Sequence, residues 1–271
     1  MTLNTPTRPG SVNRWRVAHG SVVIALLTVC ATSAFAQFER RRPIKVAEPN
    51  FSIGLFGGLN TNIHTGNFEA GRSVYVCEKF TNGAGAGIAG GVEMLYNFDR
   101  NYGTMLRLGY GSKYAAFLSE RGQVALFDSS GIYEREHVWR PTLTYATAEL
   151  LFNFNPISRR VEFFLGPTVS MNLGKSFTQE EHIVTVSGTS YTFPNGTNTW
   201  IVDQGDVVGL RKIVIGAEIG VAVEFRLARE LLFAPSAWAQ YFLQSPSTSL
   251  QWSVLSFQLG ASLRYVASFD E

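Results

Sequence analysis

Apolar residues recur at every second position over a long run near the chain's C-terminal third. Ile213, Ile215, Ala217, Ile219, Val221, Val223 and Phe225 alternate with Val214, Gly216, Glu218, Gly220, Ala222 and Glu224. Successive side chains of a strand point to opposite faces, so this segment has one oily face and one that is small or acidic. The pattern recurs, and eight strands are predicted at about Phe51–Asn60, Gly85–Phe98, Tyr102–Phe117, Trp139–Phe154, Val161–Gly174, Leu210–Leu227, Glu230–Gln244 and Leu250–Ser268. The intervening segments alternate in length. Short turns fall at Asp99-Arg100-Asn101, Asn155-Pro156-Ile157-Ser158 and Ala228-Arg229. Polar loops fall at 61–84, 118–138 and 175–209, and a medium one carries Ser245-Pro246-Ser247-Thr248. All the short turns therefore lie at one end. A soluble β-sandwich has no reason to sort its loops in this way, whereas an outer-membrane barrel has short periplasmic turns, long external loops and an even strand number.

Charge placement follows the same parity. Glu93 opposes Ile88, Val92, Met94, Tyr96 and Phe98 in phase; Arg107 opposes Leu106, Leu108 and Tyr110; Glu149 opposes Ala148, Leu150 and Phe152. Glu162, Glu218, Glu224 and Arg264 are out of phase with their apolar neighbours in the same sense. A basic residue facing lipid near the bilayer midplane costs ~2–4 kcal/mol, so these charges are expected inside a barrel whose outside is apolar. The interior of an eight-stranded barrel has room for little but its own side chains. Glu93, Arg107, Glu149, Glu162, Glu218, Glu224 and Arg264 are thus expected to meet as a lumen charge network that plugs the barrel and holds its register. The alternatives are a narrow channel lined by carboxylates, and a soluble lipocalin-like periplasmic barrel with the inverse orientation. Phe98, Phe154, Phe163, Phe225, Phe233 and Tyr265 are outward in phase and close to the short turns, as a periplasmic aromatic girdle requires. Tyr110, Trp139, Trp238, Tyr241 and Trp252 cluster towards the other ends, some with inward parity. Pro235 falls on the apolar parity of its strand, where it costs one ladder hydrogen bond.

The N-terminus adds a destination. Arg8, Arg14 and Arg16 precede an apolar stretch from Ser21 to Val29, and Ala34-Phe35-Ala36 has the small-x-small form of a cleavage site. Residues 1–36 are read as a cleaved signal peptide, 37–50 as a charged periplasmic lead-in and 51–271 as the barrel. Without residues 1–36 the chain of 271 loses three basic groups and no acid, and retains 20 basic and 21 acidic side chains. That near-neutral balance implies no nucleic-acid partner. Cys77 is the one cysteine left after the leader, which excludes an internal disulfide. After residue 36 no stretch reaches eighteen uninterrupted apolar residues, so any membrane crossing is by strands.

Chemistry is sparse. His64, His137 and His182 fall in three different predicted loops, no Gly-x-Ser-x-Gly elbow accompanies them, and no Cys/His spacing fits a metal. No enzyme activity, cofactor or metal is expected. Gly83-Ala84-Gly85-Ala86-Gly87 and Gly90-Gly91 lack the Lys-Ser/Thr of a phosphate loop and are read as close-packing positions in strands.

Three stretches carry a family resemblance. They are the Gly-rich opening strand Phe51–Asn60 (FSIGLFGGLN), the hairpin formed by Ala148–Asn155 (AELLFNFN) and Phe163–Val169 (FFLGPTV), and Ile215–Phe225 (IGAEIGVAVEF) followed by two closing strands. In these the chain resembles the PorT-like outer-membrane β-barrel proteins. The chain departs from many such barrels at its end, where Phe269 is followed by Asp270 and Glu271. The resemblance implies an all-β, eight-stranded antiparallel up-and-down transmembrane barrel in the outer membrane. It implies outer-membrane lipid as a partner, and for some members a surface or secretion-related protein. It carries over no catalytic residue.

Overall fold

A computed structural model describes residues 50–70, 78–99, 101–119, 122–125, 132–156, 160–186 and 192–268. The expected signal peptide (1–36), residues 37–49 of the expected lead-in, and Cys77 lie outside the described residues. Among the described residues there are twelve strands: β1 (Asn50–Ala70), β2 (Glu78–Asn97), β3 (Tyr102–Tyr114), β4 (Ala116–Leu118), β5 (Gly122–Ala125), β6 (Ile132–Phe154), β7 (Val161–Val186), β8 (Thr199–Asp206), β9 (Ile213–Val223), β10 (Phe225–Arg226), β11 (Leu231–Phe242) and β12 (Trp252–Ser268). They build eight staves, because β3, β4 and β5 continue one another along β6, and β8, β9 and β10 form another broken stave. Each stave pairs antiparallel with its sequence neighbours, and β12 returns to β1 over Asn50↔Ser268 through Gly66↔Trp252. The sheet is a closed up-and-down barrel.

Two breaks have a common cause. Proline has no N–H to give a ladder. The β9 to β10 interruption at Glu224 lies across from Ala234 and Pro235, between the pairs Ser236↔Ala222 and Phe225↔Phe233. The β3 to β4 interruption at Ala115 lies across from Pro141, whose carbonyl still accepts the Ala115 N–H at 3.2 Å.

The faces divide by chemistry. Leu59 is 70% exposed, Ile219 62% and Leu263 45%, while Glu218 is 3% exposed and Arg264 fully buried. A soluble lipocalin-like barrel would have the opposite arrangement. On β7 the exposed apolar series runs Leu165, Val169, Met171, Leu173 and then gives way to Lys175. That band occupies the ~9–11 residues a tilted strand needs to cross hydrocarbon. At its lower edge Tyr102 stacks on Phe152, at 5.9 Å between ring centres, and Phe154 stacks on Phe163, at 5.5 Å. These rings form a girdle beside the short turns. Of the five aromatics expected towards the far end, Trp139, Trp238 and Trp252 point inward, with Trp238 lower in the lumen beside Phe56 and Phe164, and Tyr110 and Tyr241 face outward.

The segments 61–84, 118–138 and 175–209 correct the loop expectation. Much of each is strand: β1 continues to Ala70, β2 begins at Glu78, β6 begins at Ile132 and β7 runs on to Val186. Above the apolar band lipid no longer enforces alternation, so polar residues on both faces hid strands that backbone pairing sustains. The upper parts of β6 and β7, with β5 and β8 on either side, form a four-stranded extension of the wall.

Candidate functional site

Inward-facing side chains arrange themselves in layers. At the short-turn end Arg264 is the centre of an acidic ring. Its Nε donates to Glu93 at 2.5 Å, and its Nη1 donates to Glu162 at 2.7 Å and to Glu224 at 3.0 Å. Asn153 supplies a further donor to Glu162 at 2.5 Å. The four charges come from β12, β2, β7 and the β9 to β10 break, so one guanidinium ties strands from around the wall. Glu224 sits at the rim, with a side chain 20% exposed.

One layer up, Arg107 donates from Nε to Glu93 at 2.9 Å and from Nη1 to Glu218 at 3.2 Å, with Glu149 at 4.0 Å. The same guanidinium lies over the rings of Phe56, Phe164 and Trp238, 4.7 to 5.1 Å from their centres. Glu93 bridges the two arginines, which makes the seven charged residues one connected group apart from the longer Glu149 contact. The cage explains an inward glycine. A methyl group on Gly220 would overlap the Phe164 ring and crowd Trp238. Gly220→Ala is therefore expected to cost about 1–3 kcal/mol, the usual range for overpacking. Equilibrium unfolding in urea from lipid vesicles measures it, and an unchanged midpoint would show that the rings move aside freely.

Lys113 is a third interior base and was not singled out from sequence. It donates to Ser256 Oγ at 2.9 Å, which in turn donates to Asn62 Oδ1 at 2.7 Å; Asn62 reaches Asn60 at 2.9 Å. Lys113 has the same parity as Arg107, six residues earlier on β3, and that shared phase was the available signal. Among the described residues the lumen thus holds five carboxyl groups and three Lys/Arg bases rather than two.

A cluster of buried aromatic rings packs together further up the lumen. Trp139 packs against Phe117 at 5.2 Å, Trp252 at 5.6 Å, Phe177 at 6.1 Å and Phe80 at 6.2 Å between ring centres. His64 belongs here, on β1 rather than in a loop, and its Nδ1 accepts from Trp252 Nε1 at 3.0 Å. His137 is likewise buried on β6. His182 is on upper β7 and meets Glu180 at 2.9 Å, while Arg140 meets the same carboxylate at 3.2 Å. Burial alone would raise the Glu180 carboxyl; the His182 hydrogen bond and the Arg140 charge outweigh it and hold it below the ordinary carboxylate range. The three histidines sit on separate strands, and no cluster suited to a metal occurs among the described residues.

A barrel with an apolar belt, an aromatic girdle and a charged lumen has the physics of an outer-membrane protein, and residues 35–244 match the model of the outer membrane protein beta-barrel domain. The chain belongs to that family. It is an outer-membrane β-barrel of the Gram-negative type, crossing the bilayer with strands and bounded by lipid. Among solved structures, outer membrane protein AlkL in lipid bilayers aligns at 10% identity with a TM-score of 0.37, over 86% of this chain and 99% of that one. OprG from Pseudomonas aeruginosa aligns at 11% identity with a TM-score of 0.33, over 80% and 96%. The outer membrane protease OmpT from Escherichia coli aligns at 10% identity with a TM-score of 0.33, over 83% and 99%. Comparison with curated proteins returns no match.

Proposed function

We propose that this barrel is a non-enzymatic outer-membrane anchor whose work is surface interaction through the part that rises above the bilayer. The observation that carries the reading is the combination of a filled lumen with extended strands. Buried side chains pack into the lumen at two levels, the charge layer and the rings of Phe80, Phe117, Trp139, Phe177 and Trp252, and the reading takes both as a plug. Meanwhile β6 and β7 continue well past the apolar band. Interiors of eight-stranded barrels are normally just wide enough for their own side chains, which agrees with a plug. The stretches that resemble PorT-like barrels lie on β1, the β6–β7 hairpin and β9 to β10, all in or beside the membrane-spanning wall. That narrower resemblance therefore bears on the scaffold rather than on the upper extension.

The competing reading, a narrow transport path, is favoured by the excess of carboxyl groups over bases in the lumen. Planar-bilayer recording separates the two. The intact barrel is expected to give no steady conductance above background, and Trp139→Ala with Trp252→Ala is expected to stay silent too, because the charge layer below the rings still fills the bore. A steady wild-type current that shifts in Glu218→Gln or Glu224→Gln would overturn the plug and establish the channel.

A further inference from the structure

The apolar belt ends in unpaired bases on one side of the barrel. On β9 it runs from Val223 up to Ile213, 11 residues, the length a tilted strand needs to cross hydrocarbon. Ile213 is 53% exposed and pairs with Met171 on β7, where Leu173, 56% exposed, is the last residue of the belt. Directly above Ile213 come Lys212 and Arg211, both exposed, and on β7 Gly174 and then Lys175 follow Leu173. The turn that carries Lys212 and Arg211 is fixed from both sides. The Asn172 N–H donates to the Lys212 carbonyl at 2.8 Å and the Val207 N–H to the Lys175 carbonyl at 2.7 Å, which holds 207–212 against β7. The Arg211 N–H donates to the Pro246 carbonyl at 2.8 Å and the Thr248 N–H to the Gly209 carbonyl at 2.7 Å, which holds the same turn against the connection from β11 to β12. Lys175 meets Asp206 at 3.4 Å with side chains 50% and 62% exposed, a loose surface pair that a better-placed anion displaces. Arg211 and Lys212 make no ion pair among the described residues. The other side of the ring differs. β1 and β11 contain no lysine or arginine, β12 has only the buried Arg264, and residues 243–251 have none. Arg140 on β6 is already held by Glu180 and Tyr114. Bases that did no more than mark the edge of the bilayer would be spread around the ring.

We propose that Arg211 and Lys212, with Lys175 beside them, bind the phosphate group of an outer-leaflet lipid whose acyl chains lie along Met171, Leu173 and Ile213. The occupant follows from position. Lipid covers the belt up to Ile213, and the next layer outward is its head groups, so the group that meets these bases belongs to a lipid already packed below them. Three bases against one acid select an anionic head group. Phosphate suits them, because a guanidinium gives it two parallel N–H bonds and an ammonium gives it a compact charge. Basic clusters beside the apolar part of a membrane protein recognise phosphorylated head groups in this way. The turn is fixed before the lipid arrives, so binding has little order left to impose on the protein. A lipid held there is a lasting member of the lipid ring on the β7–β9 side, while the base-free side exchanges its lipids freely.

The full-length barrel, folded in a neutral detergent, is titrated with the phosphorylated glycolipid lipid A and with its dephosphorylated form, and bound lipid is counted by native mass spectrometry. The intact barrel is expected to bind lipid A about tenfold or more tightly than the dephosphorylated form, since each base near an anionic head group contributes about fivefold. Arg211→Gln with Lys212→Gln is expected to remove most of that preference. Both side chains are exposed, and an unchanged electrophoretic mobility shows that the double variant is folded. Lys79→Gln, which removes an exposed base on upper β2, is expected to leave the preference intact. Equal binding of the two lipids, or a preference that survives the double variant, would overturn the site. Displacement of lipid A by an equal concentration of inorganic phosphate would show a site for a free anion and overturn the assignment to lipid.

Discussion

Replacing Arg264 by methionine is expected to destabilise the folded barrel by about 3–5 kcal/mol, the cost of leaving buried carboxylates without their partner. Arg264 is fully buried and bonds Glu93, Glu162 and Glu224 within 3.0 Å. Methionine keeps much of the volume but removes every donor, so the loss is electrostatic rather than a cavity. The charge group as a whole is not credited with that energy, because two charges must be desolvated before they attract. Exchanging a complete buried ion group for neutral side chains is often close to neutral. Adding Glu162→Gln and Glu224→Gln to Arg264→Met, which leaves Glu93 paired with Arg107, is therefore expected to restore most of the loss. Urea unfolding from vesicles, read by electrophoretic mobility and tryptophan fluorescence, measures both variants. A single-variant loss below ~1 kcal/mol would mean that lumen water already screens these charges as at a surface.

Leu59→Arg is expected to cost about 2–4 kcal/mol, the penalty for a basic side chain facing the centre of the bilayer. Leu59 is 70% exposed, points outward from β1, and stands between Ile88 on β2 and Leu259 on β12, both outward-facing. Ile53 is outward on the same strand but near the short-turn boundary, and Ile53→Arg is expected to cost only ~0–1 kcal/mol because the guanidinium reaches the headgroups. The same unfolding assay gives the depth profile. Equal costs at the two positions would contradict a bilayer around the belt.

Much of this arrangement was legible in residue order. Hydrocarbon tolerates one kind of side chain, so across the bilayer every strand had to alternate, and parity placed Glu93, Arg107, Glu149, Glu162, Glu218, Glu224 and Arg264 on one face. The same parity, followed further, puts Lys113 and Phe117 with Arg107, Trp139 with Glu149 and Trp252 with Arg264; the plug was encoded there, but aromatic residues suit either face of a strand and so did not announce it. Extracellular parts were less readable. In β8 the run Thr199–Asp206 has no alternation, because water on both sides exerts no selection, and its strand character comes from pairing with β7.

The linear chain by itself determined the strand number, the sorting of turns to one end and the face each charge takes, because these follow from period two and from what a bilayer admits. Only the tertiary structure decided which carboxylate each arginine holds, how four rings meet around Trp139, and that β8 pairs along upper β7. Those depend on the stagger of strands around a closed wall, and distant partners such as Glu93 and Arg264 acquire a common height only when β12 closes on β1.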